Sequence, residues 1–142
     1  MTADPYRLGR FTDAQESGGT YDRALRELRA GAKSSHWMWF VFPQVAGLGT
    51  SATSRAFAIS SLAEARAYLG HPVLGTRLRE CADAVASVPG RTAVEILGGI
   101  DAQKLRSSMT LFHLAAPGEP VFRAVLDRFF DGSLDEETVA RT

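Results

Sequence analysis

Leu74, Leu78, Cys81, Val85 and Val88 follow one another at alternating steps of four and three residues. Only a helix of about 3.6 residues per turn brings such positions onto one face, so this stretch is helical with that face buried. The same spacing recurs along the chain. Phe122, Val125, Leu126, Phe129 and Phe130 fall at i, i+3, i+4, i+7 and i+8 between Pro120 and Gly132. Tyr21, Ala24, Leu25 and Leu28 form a third stripe, with Thr20 read as its N-cap and Gly31 as its end. Leu105, Met109 and Phe112 share a face in a helix that Asp101 starts and Pro117-Gly118 stops. Ser61 with Glu64 and Thr92 with Glu95 match the capping box, the first ahead of an inner stripe of Leu62, Ala65 and Leu69. His71-Pro72 puts a proline in the first turn of the seam helix. Asp135, followed by Glu136 and Glu137, caps a last short helix, and a helical turn is expected around Phe11 to Gln15, ended by Gly18-Gly19.

No second strand-like run exists to pair with the one continuous apolar stretch. The expectation is an all-α fold, a compact single-domain bundle of about six to eight helices with little or no sheet. Residues 1–10 are expected as a flexible N-terminal arm and 11–142 as the single helical domain. Leu78, Cys81, Val85, Phe122, Leu126 and Phe129 are the predicted core.

Composition narrows the function classes. A chain of 142 residues forms one domain burying roughly two-thirds of its extended surface, and 45% hydrophobic content excludes general disorder. Sixteen basic and sixteen acidic side chains cancel, which argues against a nucleic-acid or anionic-membrane partner. No run of about 18 apolar residues and no signal-like N-terminus is present, so a cytoplasmic protein is expected. Cys81 stands alone, which excludes an internal disulfide and a multi-cysteine zinc site; in the seam it reads as a core thiol. His36, His71 and His113 lack close metal-ligand spacing, so no metal and no cofactor is expected. The expected partner is a small molecule, with the chain as a monomer or small homo-oligomer.

Two segments break local rules. The first is Lys33-Ser34-Ser35-His36-Trp37-Met38-Trp39-Phe40-Val41-Phe42-Pro43-Gln44, followed by Gly47-Leu48-Gly49-Thr50-Ser51. Six large apolar residues follow His36 with neither helical nor strand period, which favours a helix or irregular buried chain. The tryptophans are either core filler or the aromatic wall of a pocket, and the glycine turn is either a phosphate cradle or a turn before N-cap serines. In the second segment Asp101, Lys104 and Ser108 form a polar stripe at i, i+3 and i+7, with Ser107 beside it. Small hydroxyls clustered in a helix centre mean close packing or a polar pocket. Asp101 is an N-cap or a counter-charge to Lys104. The only two lysines, Lys33 and Lys104, lie one in each segment.

The two segments, together with Tyr68-Leu69-Gly70-His71-Pro72-Val73-Leu74-Gly75, resemble the bacterial domain-of-unknown-function family numbered 1810. Members of that family have at times been given the name calpastatin, for which these residues hold no basis. The resemblance runs from about Phe11 to Thr138 and implies a mostly helical single domain; it implies no activity, cofactor or catalytic residue. Read from the residues, Lys33–Gln44 and Asp101–His113 are expected to pack together around a pocket for a polar or anionic small molecule, nucleotide-like or phosphorylated. Lys104 and Ser108 then reach towards His36 or Gln44 at a rim walled by tryptophan. Candidate ligand-binding residues are Lys33, His36, Trp37, Trp39, Gln44, Gly47, Gly49, Asp101, Lys104, Ser107 and Ser108. His36, Lys104 and Ser108 are the candidates for any catalysis. The alternative is a non-catalytic interaction or self-association module using the aromatic 37–42 segment.

Overall fold

The computed structural model describes residues 3–142. In chain order the helices are α1 (Gly9–Glu16), α2 (Thr20–Ala30), α3 (Met38–Val41), α4 (Ala52–Ala56) and α5 (Leu62–Gly70). They continue with α6 (Leu74–Ala86), α7 (Ala93–Leu97), α8 (Gly99–Ala115), α9 (Pro120–Phe130) and α10 (Glu136–Ala140). Helices α1, α2, α5, α6, α8 and α9 have eight residues or more, whereas α3, α4, α7 and α10 are single turns. There is no strand among the described residues, only one isolated parallel bridge between Val45 and Ile59. The fold is all-α and single-domain.

Two helices organise the packing. The seam from Leu74 through Leu78, Cys81 and Val85 of α6 to Val88 just past its end is buried, and α6 packs on α2, α5 and α9. Burial pushes the Cys81 thiol up to about 12, so it stays a neutral packing group. Helix α8 contacts α5, α7, α9 and α10, which is why buried residues run right round its second half from Ser107 to Phe112. Phe112 bridges to Tyr68 of α5 and Phe122 of α9 at ring separations of 5.4 and 5.9 Å. Among the predicted core residues Phe129 is the exception: it is half-buried and stacks edge-on against Phe130 at the end of α9.

Helix termini follow the sequence in part. Thr92 and Glu95 form the full capping box, Asp135 caps α10 through Thr138, and Pro120 opens α9. At Ser61 only half of the box forms. Its hydroxyl accepts from the Glu64 amide, but the Glu64 carboxylate goes to Ser60 and Arg10 instead. Thr20 is not an N-cap: it is the first residue of α2, its hydroxyl donates to the Ser17 carbonyl, and left-handed Gly19 makes the entry. Pro72 lies in the turn before α6, where His71 Nδ1 accepts from the Val73 and Leu74 amides as a side-chain cap. Asp101 does not start α8, which begins two residues earlier at Gly99.

Residues 33–51 are an irregular buried passage with one helical turn, α3, and three tethers hold them. Gln15 of α1, itself buried, donates to the Phe40 carbonyl at 2.8 Å. The Ala46 amide donates to the Ile59 carbonyl at 2.8 Å, and the Ile59 amide donates to the Gln44 carbonyl at 2.9 Å. The third is the Lys33 amide, which donates to the Ile96 carbonyl at 2.8 Å and carries the passage to the α7–α8 corner.

Candidate functional site

The site starts from a carboxylate on α2. Glu27 accepts hydrogen bonds from the Ser34 amide, the Ser35 amide, the Ser35 hydroxyl and the Trp37 indole Nε1, at 2.6 to 3.0 Å. Burial works against its charge, but these donors outweigh it and hold the carboxyl down at about 2. The effect is to lock the 34–37 turn and bury Trp37, which is 1% exposed.

That turn aims Lys33 at α8. The Lys33 ammonium stands 2.9 Å from Asp101 Oδ2 and 5.1 Å from the centre of the Trp37 ring. Lys104, one turn along α8, stands 3.3 Å from the other oxygen, Asp101 Oδ1, and 3.8 Å from the centre of the Trp39 ring. One carboxylate therefore bridges two ammonium groups, and each ammonium lies over one tryptophan. All three side chains are largely withdrawn from solvent: 9% exposed for Lys33 and 18% for Asp101 and Lys104. Asp101 is thus the counter-charge rather than the cap.

Beside this cluster opens a cavity of about 500 Å³. Trp39, Gln44, Leu48 and Gly49 form one wall, and Gly99, Ile100, Gln103, Lys104 and Ser107 of α8 form another. The third comes from Asp135 and Glu137 at the start of α10. Asp135 is held there from α8: its amide donates to Thr110 Oγ1 at 2.9 Å and its Oδ1 accepts from Gln103 Nε2 at 3.0 Å. Asp135 Oδ2 accepts from the Thr138 amide and hydroxyl, while Glu137 faces Arg141 at 3.7 Å. Arg106 fixes the approach by donating to the Ser133 and Leu134 carbonyls. The cavity therefore has a cation at Lys104, an acceptor at Asp135, and an indole, Trp39, beside the glycine turn at 47–49. Gln44, Gly49 and the Trp39 ring also border a smaller neighbouring hollow of about 110 Å³.

The two unusual segments come together here. Of the expected site residues, Trp39, Gln44, Gly49, Lys104 and Ser107 line the cavity, and Lys33 and Asp101 join it through Lys104. Four others do not. His36 is exposed outside the lining, and Trp37 is buried behind Lys33. Gly47 borders the smaller hollow, where a Cβ would collide with the Arg141 guanidinium. Ser108 is fully buried, and its hydroxyl finds no hydrogen-bond partner among the described residues, so it makes no pair with Lys104. In the aromatic run Trp37, Met38, Val41 and Phe42 are buried, which leaves little of it for an exposed partner surface. Sequence reasoning missed Glu27, Gln103 and Glu137, and read Asp135 only as a cap. No spacing rule marks them: Glu27 is bonded by an irregular turn seven to ten residues on, and Gln103 meets Asp135 across 32 positions. No three His, Cys, Asp or Glu side chains converge as a metal site among the described residues.

No curated protein matches the chain. A solved structure does: the conserved hypothetical protein Rv1873 from Mycobacterium tuberculosis is 50% identical, with 96% of each chain covered and a TM-score of 0.93. The family model described as protein of unknown function DUF1810 matches residues 5–142, and the chain belongs to that family.

Proposed function

We propose that the protein binds a small polar molecule in the cavity between the Trp39–Gly49 passage and α8. The observation that carries this reading is the Lys104 ammonium 3.8 Å over the Trp39 ring at the wall of a 500 Å³ cavity. An aromatic wall with a few converging polar groups is the usual make-up of a small-molecule pocket. The polar groups at Lys104 and Asp135 differ, which defines the ligand. An anionic group suits Lys104, and a hydroxyl or amino donor suits the lone pair left on Asp135 Oδ1, which accepts only from Gln103. A nucleotide-like or phosphorylated metabolite has both, with a body to lie against Trp39.

A thermal-shift screen against nucleotides, dinucleotides and sugar phosphates tests the reading. A ligand at a hundred times its dissociation constant adds about 2.7 kcal/mol of stability. Trp39→Ala and Lys104→Ala are expected to abolish the shift given by any hit while leaving the unliganded protein folded. Silence across the screen, together with concentration-dependent self-association, would sink it in favour of an interaction module.

A further inference from the structure

We infer that Lys33, which lies outside the cavity lining, sets the sign of charge at the Trp39 end of the cavity and makes that end a site for an anionic group. The inference rests on reading the cavity as a ligand site. With Lys104 alone on Asp101, the pair would be neutral, and an arriving anion would meet an ammonium backed directly by a carboxylate. Lys33 occupies the second oxygen at 2.9 Å, so the three side chains sum to one positive charge. Their exposures of 9% and 18% mean that water screens this charge less than it would on open surface. The remaining charged residues that line the cavity, Asp135 and Glu137, have partners of their own. Asp135 is hydrogen-bonded by Gln103 and Thr138, and Glu137 stands opposite Arg141. Lys33 is itself held in place by the Ile96 carbonyl on its amide and by the Trp37 ring under its ammonium. Its role is that of a specificity-determining residue acting through Asp101 on Lys104. The ligand class it selects carries a phosphate or carboxylate.

The chain contains a built-in reporter. Of its two tryptophans, Trp37 is 1% exposed and Trp39 borders the cavity, so a collisional quencher in water reads Trp39. Fluorescence is quenched with iodide, caesium and acrylamide in separate titrations at a constant ionic strength of about 0.2 M. The iodide constant divided by the caesium constant reports the local sign of charge, and acrylamide reports access alone. In the wild type this ratio is expected to exceed the ratio that neutral N-acetyltryptophanamide gives in the same buffers. Lys33→Met keeps the apolar stem and should lower the ratio about two- to threefold, whereas Asp101→Asn should raise it by a similar factor. The double variant should return to the wild-type ratio, with acrylamide constants unchanged throughout. Lys33→Gln serves as the second neutral variant if Lys33→Met folds poorly. A ratio indifferent to Lys33, or single variants that move it in the same direction while acrylamide access rises, overturns the inference in favour of a packing role. The experiment needs no ligand, so it fails separately from the screen above. A hit whose affinity ignores Lys33→Met sinks only the inference, and a silent screen with opposite ratio shifts sinks only the ligand reading.

Discussion

Glu27 organises the candidate site without touching it. Four donors converge on one buried carboxylate, and removing it leaves the 34–37 turn without the group that orders it. Its folded-state pKa of about 2 lies below the ordinary 4.5, so its contribution to stability is present above pH 4.5 and is lost as pH falls towards 2. The size is about 3 kcal/mol, from about 1.4 kcal/mol for each unit of displacement. Denaturant titrations repeated between pH 6 and 2 are expected to show this loss in the wild type and not in Glu27→Gln. An equal acid slope in both proteins would assign it to other carboxylates. Nothing in the sequence distinguishes Glu27 from other polar-face residues of α2, because its partners come from a turn that ordinary spacing rules do not describe. Ser108 illustrates the converse. It stands out in the sequence as a hydroxyl in mid-helix, yet it packs into the core away from the cavity.

Among the elements, the α5–α6 corner shows where helix propensity and packing oppose each other. Gly75 sits in the first turn of α6, buried, and a Cβ there would meet the Leu69 carbonyl oxygen well inside van der Waals contact. The same carbonyl accepts from Arg79 Nη1 at 3.1 Å, and Arg79 also pairs with Glu119, so the corner cannot open without disturbing both bonds. Propensity alone makes Gly75→Ala stabilising by up to about 1 kcal/mol. Overpacking against backbone makes it destabilising by about 1–3 kcal/mol, and this term wins because the obstructing atom is a carbonyl rather than a flexible side-chain end. Urea denaturation gives the sign: a more stable variant would mean that the corner relaxes freely. Helix α8 shows a related effect. It was legible as a helix from its spacing, but its central place was not, since Ser107, Ser108 and Thr110 are explained only once neighbours surround it.

Across the whole molecule one contiguous core joins Phe11 of α1 to Leu126 of α9 through Trp37, Tyr68, Leu78 and Phe112. A single core of this extent, in a chain below about 150 residues, is expected to unfold as one unit. Tryptophan fluorescence reports the 37–39 passage and far-ultraviolet dichroism reports the helices, so their urea transitions should coincide. An earlier fluorescence transition would mean that the 33–51 passage melts by itself. The helices and their all-α class were determined by the sequence alone, because the 3.6-residue period and the end signals at Thr92, Pro120 and Asp135 are local properties of the chain. The pairing of the two unusual segments was likewise suggested by their local oddity. What only the tertiary structure decided is which of their residues meet. Lys33 rather than His36 turns to α8, Asp101 bridges two lysines rather than capping, and Asp135 closes the cavity from the far end of the chain. Those outcomes depend on the Gln15–Phe40, Lys33–Ile96 and Thr110–Asp135 hydrogen bonds. Each joins residues 25 or more positions apart, and sequence periodicity carries no information at that separation because it describes only the face a residue occupies on its own helix.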